Sequence, residues 1–192
     1  MSDLLADVVR TLSAWSPPDD AQSALRANYL AHLAAHPNGI WREGPPEHVT
    51  ASCFVFDPAG ERTLMTLHRK GNFWVQFGGH LERGDATLAG AALREGTEES
   101  GVALRLVGGD LAGAPAIVDL NRHALPPAFG RCREHLDVAF AAVADADAVP
   151  AVSDESHDVA WWPLDALPDN VVVDLPVRLP AAVRTLRLAA HS

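Results

Sequence analysis

Glu95, Glu98 and Glu99 fall at i, i+3 and i+4 of a segment that otherwise reads as a packed helix. That spacing stacks three carboxylates on one face, with Cβ atoms about 5–6 Å apart. Like charges this close repel, and the neighbouring Arg94 cannot neutralise three acids. A solvated acidic face usually carries basic residues one turn away, and residues 95–99 hold none. The flanking Leu88, Ala91, Ala92 and Leu93 are apolar or small, so the helix packs and its acids need a partner. A hard divalent cation meets that need, and oxygen ligands on a rigid face suit Mg²⁺ or Mn²⁺. The helix is predicted over residues 87–100, with Thr87 as its N-cap and Gly101 just past its end. The Gly78-Gly79 pair ahead of it lets the backbone approach the site and offer a carbonyl as a further ligand.

Around this helix the chain divides in two. Residues 1–45 read as a helical extension. Leu4, Leu5, Val8, Val9 and Leu12 recur at helical spacing after a Ser2 cap, and Leu25, Tyr29, Leu30 and Leu33 follow Pro17-Pro18. Residues 46–192 carry a different texture: strands near 49–56, 63–68, 74–77, 104–111, 116–120, 136–143 and 159–163, and a closing helix over 176–190. The third strand is expected to end at Gly78-Gly79, and residues 121–134 to form a long loop. Strands and helices do not alternate, which argues an α+β fold rather than a doubly wound sheet.

The segment from Gly79 to Val102 resembles the Nudix box, Gly-x5-Glu-x7-Arg-Glu-U-x-Glu-Glu-x-Gly-U with U aliphatic. Gly79, Arg94, Glu95, Glu98, Glu99, Gly101 and Val102 match it. Three positions depart from the pattern. Asp85 stands for Glu, one extra residue falls in the loop at Ala86, and Gly96 occupies an aliphatic position. The resemblance extends over roughly residues 48–170. It implies the Nudix fold, a mixed β-sheet sandwiched between helices. It also implies Mg²⁺-dependent hydrolysis of a nucleoside diphosphate linked to another group, by water attack on phosphorus. Glu95, Glu98, Glu99 and the Gly79 carbonyl would hold metal, with Mn²⁺ a possible substitute, and Arg94 would orient the glutamates. The general base would be Glu98, or Glu155 on a distal loop, and Glu82 would add a water-mediated metal contact. The apolar stripes of the extension must bury on the Nudix core of the same chain or on a second subunit; family members are commonly dimers, so a homodimer is favoured.

Other residues are weighed by type and place. His68-Arg69-Lys70 ends a strand upstream of the box and holds the chain's only lysine, which suggests a phosphate clamp. Aromatics at strand spacing are usually core, but Trp74 or Phe77 is a candidate to stack on a base. Arg122, Arg131 and Arg133 lie in the expected long loop, where substrate contacts concentrate, with Arg131 the chosen candidate. His123, Cys132, His135 and His157 fit no standard zinc spacing, so no zinc site is expected. Cys53, mid-strand, reads as a buried small hydrophobe.

The net charge of −10 argues against general nucleic-acid binding. It leaves small anionic substrates open, since a bound cation reverses the local sign. No apolar stretch reaches the roughly 18 residues of a membrane span, and the N-terminus lacks a signal-peptide pattern, so a cytoplasmic protein is expected. Two competing functions are considered. A non-catalytic nucleotide-binding or regulatory module would be expected to lack box carboxylates, and all three are present here. The isopentenyl-diphosphate isomerase branch would need a cysteine leading into the box, and Gln76-Phe77-Gly78-Gly79 has none.

Overall fold

The computed structural model describes residues 2–108, 115–126, 130–145, 147–153 and 156–189. Two helices come first, α1 (Asp3–Ala14) and α2 (Asp20–Ala35), capped by the Ser2 and Asp19 side chains. Strands β1 (Glu47–Phe56), β2 (Arg62–His68), β3 (Trp74–Val75) and β4 (Phe77–His80) follow, then α3 (Leu88–Ser100). The chain continues through β5 (Leu104–Leu106), β6 (Ile117–Ala124), β7 (Glu134–Ala144), β8 (Ser156–Pro163) and α4 (Leu175–Ala189).

The sheet is mixed and organised around β1. Along one edge β1 runs parallel to β7, Glu47 opposite Glu134 through Phe56 opposite Val143. Along the other it changes partner midway. Its first half pairs antiparallel with β4, Thr50 opposite His80, and its last residues pair with β2. A change of partner on one edge splays β2 away from β4, and the end of β4 opens toward the N-terminus of β1.

Apolar faces are buried on both sides of the sheet. One core joins α1, α2 and α3 to the sheet through Val8, Leu12, Tyr29, Val55, Leu88 and Phe140. The other joins α4 to Phe54, Phe56, Met65 and Ala141. Helices on both faces of a mixed sheet match the expected architecture. Arg178 of α4 is buried and forks onto Asp119 of β6 at 2.9 and 3.0 Å, with a further bond to Asp137 of β7 at 3.0 Å. Ser52 and Thr50 of β1 also donate to Asp137, so every polar group in this interior cluster is bonded.

Two expectations are corrected. Gly78 and Gly79 do not end a strand; they lie inside β4 and pair with Ser52 and Ala51. Glycine weakens a strand, but here it lets α3 press close to the sheet. The loop expected at 121–134 is shorter, because β6 runs to Ala124 and β7 begins at Glu134. Of the two targets open to the N-terminal stripes, α1 and α2 bury theirs against the chain's own core.

Candidate active site

The site is built by α3 facing the end of β4. Thr87 caps α3 by accepting the Gly90 amide at 3.0 Å, and Gly101 ends it in the left-handed conformation. The first turn has a second cap from a distant element. Asp7 of α1 accepts the Leu88 amide at 2.7 Å. A carboxylate at a helix N-terminus satisfies an otherwise orphaned donor and complements the helix dipole.

Glu95, Glu98 and Glu99 line one cavity of about 630 Å³, together with Gly79 and Arg94. A Cβ on Gly79 would lie 2.6 Å from the Glu95 carboxylate, so a side chain there would push that carboxylate from its present position beside β4. The Gly78 amide donates to Glu99 at 3.0 Å. Arg94 donates to Glu95 at 3.0 Å, to Glu98 at 3.1 Å and to the His80 carbonyl at 3.0 Å. It also makes a two-pronged bond to Asp85 at 2.9 and 3.1 Å. The Asp85 bonds are the chief reason the guanidinium charge is held more firmly than usual, against the opposing effect of burial. One arginine thus ties the box loop, the end of β4 and two of the three helix acids into one unit. Three oxygen-bearing side chains beside a backbone strand are a donor set that fits a hard divalent ion.

Asp85 was seen in the sequence only as a departure from the box. Its carboxylate also accepts the Glu82 amide at 2.7 Å, closing the turn just ahead of the inserted residue Ala86. Gly96 has a packing reason. A Cβ there would lie 2.5 Å from Cys53 Sγ and 2.8 Å from Leu104 Cδ1. The cysteine sulfur occupies the space an aliphatic side chain at 96 would need. Burial pushes the Cys53 thiol well above its ordinary range, as expected of an inert small hydrophobe.

Several sequence candidates lie elsewhere. His68, Arg69 and Lys70 do not line the cavity. They close the turn from β2 to β3, where His68 Nδ1 accepts the Gly71 amide and Arg69 donates to the Ser156 carbonyl at 3.0 Å. Trp74 is buried against Trp162 in the α4 core, with ring centroids 5.3 Å apart, because its side of the strand faces inward. Arg131 donates to the Gly44 carbonyl at 3.4 Å on the surface and is not among the residues that line the cavity. Arg122 is engaged by Glu134 and Asn28. Glu155 lies outside the described residues, while Ser153 nearby lines the cavity.

Four further lining residues carry no signal in the sequence. Trp41, Arg42, Glu43 and Arg83 also line the cavity, with the Arg83 guanidinium 4.9 Å above the Trp41 ring. No periodicity marks Trp41-Arg42-Glu43, which lies in a turn between α2 and β1.

Beside the cavity, β4, β1 and β7 place His80, His48 and His135 in contact, with ring centroids 5.1–5.3 Å apart. Burial, ahead of the neighbouring imidazoles, pushes His80 down to about 4 and His135 down to about 3. His48 is lowered for the same reason. All three imidazoles are therefore neutral at pH 7.

The sequence matches the NUDIX domain over residues 46–180, and the chain belongs to the Nudix family. With every carboxylate of the box helix present it is a pyrophosphohydrolase of that family, acting on phosphorus-containing anhydrides. Solved structures share its fold. A Nudix-family hydrolase from Clostridium perfringens is 22% identical at a TM-score of 0.57, covering 73% of this chain and 97% of its own. A MutT Nudix hydrolase from Burkholderia pseudomallei is 21% identical at a TM-score of 0.52, covering 70% and 97%. The dihydroneopterin triphosphate pyrophosphohydrolase of E. coli is 15% identical at a TM-score of 0.54, covering 75% and 96%. No curated protein matches the chain significantly.

Proposed function

We propose that the protein is a Mg²⁺-dependent hydrolase that cleaves the diphosphate linkage of a nucleoside diphosphate derivative. The observation that carries this reading is the convergence of Glu95, Glu98, Glu99 and Gly79 on one cavity that Arg42 and Arg83 also line. The three glutamates and the Gly79 carbonyl would hold the ion, with Mn²⁺ as a substitute. When bound, the ion neutralises phosphate oxygens and makes water a better nucleophile. Arg94 fixes the carboxylates that face the substrate. Arg42 and Arg83, which line the same cavity, offer the positive charge a diphosphate needs. Trp41, rather than Trp74, supplies the aromatic surface on which a base stacks.

Glu98 is the most exposed of the reactive groups, its side chain 61% accessible, and acts as the general base. Water attacks one phosphorus, the bridging P–O bond breaks, and Glu98 takes the water proton. The products are a nucleoside monophosphate and the phosphorylated second group. Phosphoryl transfer depends mainly on positioning and charge neutralisation, and this site is built for both.

The test is a hydrolysis screen over sugar nucleotides, dinucleoside polyphosphates and oxidised nucleoside triphosphates, with and without Mg²⁺, with products identified by mass. Metal-dependent release of a nucleoside monophosphate is expected. Saturable nucleotide binding without hydrolysis of any compound would favour a regulatory module instead.

A further inference from the structure

We propose a second metal site, for Zn²⁺, formed by His48, His80, Cys132 and His135. One nitrogen from each imidazole and the Cys132 sulfur all lie within 4.8 Å of one another. Strand register brings them together. His48 sits opposite His135 across the β1–β7 pair, and His80 ends β4, which pairs with the other edge of β1. Cys132, just ahead of β7, approaches His80 Nε2 at 3.8 Å.

The state of these groups points to a ligand. His48 is fully buried, and its Nε2 has no hydrogen-bond partner; His135 Nε2 is likewise buried without one. Buried polar atoms are normally bonded, so two such orphans in one cluster need a reason. The His48 Nδ1 lies 3.2 Å from the Pro45 carbonyl. A carbonyl only accepts, so Nδ1 carries the proton and the Nε2 lone pair is left bare. Metal-bound histidines are held in this way, one nitrogen donating to a carbonyl while the other faces the ion.

The donor set selects the ion. Three imidazoles and a thiol suit zinc in a closed, four-coordinate site, whereas Mg²⁺ prefers the oxygens of the glutamate cluster. Zinc–nitrogen and zinc–sulfur bonds of about 2.0–2.3 Å place tetrahedral ligands about 3.3–3.8 Å apart. The Cys132–His80 distance of 3.8 Å lies at the upper end of that range, and the most widely separated of the remaining ligands, within 4.8 Å, need contract by up to about 1.5 Å. Binding converts the Cys132 thiol to a thiolate and releases one proton to solvent. The ion would tie the segment before β7 to the end of β4. The His80 carbonyl accepts from Arg94, so the clamp also steadies the frame of the active site.

The experiment uses the full chain, stripped with a chelator and titrated with Zn²⁺ and with Co²⁺ as a coloured stand-in, in excess Mg²⁺. One zinc per chain is expected by elemental analysis. The Co²⁺ form should show tetrahedral bands with thiolate charge-transfer absorption, which only Cys132 can give because Cys53 is packed under Gly96. Cys132→Ser should abolish that absorption and weaken zinc binding by at least roughly tenfold. Glu99→Gln should leave both unchanged, which separates this site from the hydrolytic one. Substoichiometric zinc at micromolar free metal, Co²⁺ spectra without thiolate character, or full zinc affinity in folded Cys132→Ser would overturn the proposal.

Discussion

Glu98 and Glu99 differ in what holds them. Glu99 takes an amide from the β4 backbone, while Glu98 bonds Arg94 and lines the cavity. Changing either to Gln keeps the shape and removes one anion. Both Glu98→Gln and Glu99→Gln should lower kcat by orders of magnitude with the fold intact, as steady-state kinetics and circular dichroism would show. Near wild-type rates in both would remove the box helix from the chemistry. Gly96 tests packing instead. Helix propensity favours alanine there by about 1 kcal/mol. Overpacking against a buried sulfur costs about 1–3 kcal/mol. The clash wins, so Gly96→Ala should be less stable by roughly 1 kcal/mol. Adding Cys53→Ala should recover part of that loss, since it removes the atom 2.5 Å away. A Gly96→Ala protein more stable than wild type in urea would show that Cys53 yields freely. The departure of Gly96 from the box was visible in the sequence. Its reason was not, because Cys53 lies 43 positions away (96 − 53) and only the packing of α3 on β1 joins them.

At the scale of elements, α3 was legible because its signals are local: a threonine cap, a closing glycine and acids one turn apart. β4 was not, because glycines usually end strands, and only pairing with β1 decides otherwise. Nor could the sequence show that α1 caps α3. Asp7→Ala would strip the Leu88 amide of its partner in a buried setting, at a cost of about 1–3 kcal/mol. Asp7→Asn keeps an accepting oxygen and should lose less, about 0.3–1 kcal/mol of the charge–dipole part. Equal losses in thermal melts of the two variants would refute the capping role. The β1–β2 turn has a comparable device that responds to pH. Asp57 accepts the Glu61 and Arg62 amides and the Arg62 guanidinium at 2.9–3.0 Å. Burial alone would raise its carboxyl, but these donors together lower it below the usual range. The unfolded chain therefore takes up a proton first, near pH 3.9, and the stabilisation is complete above that and lost as pH falls further. Asp57→Asn should cost about 1 kcal/mol at pH 7, and the gap from wild type should narrow toward pH 3. A gap unchanged from pH 7 to pH 3 in urea titrations would contradict this.

For the whole molecule, the sandwich and the acidic helix were readable, while what the long-range register assembles was not. His48, His80, Cys132 and His135 come from separated segments and meet only through the pairing of β1 with β4 and β7. Trp74 was misplaced for a related reason, since alternation along a strand does not say which face a core will cover. The N-terminal helices show the same division between local and global signals. Their apolar stripes were evident, but their docking surface was not. Leu4, Leu5, Val8, Leu12, Tyr29 and Leu33 are each at most 5% exposed against the same core that holds α3. At about 1.5–3 kcal/mol per buried large side chain, that contribution is on the order of 10 kcal/mol. Whole domains are stable by only about 5–15 kcal/mol. Deleting residues 1–44 would also remove Asp7 from α3 and uncover the sheet face beneath α1 and α2. The truncated chain should therefore lack a cooperative thermal transition, aggregate, and lose Mg²⁺-dependent stabilisation although every box residue remains. A soluble 45–192 fragment that melts cooperatively and is still stabilised by Mg²⁺ would show that the helices are an accessory layer rather than part of the folding unit.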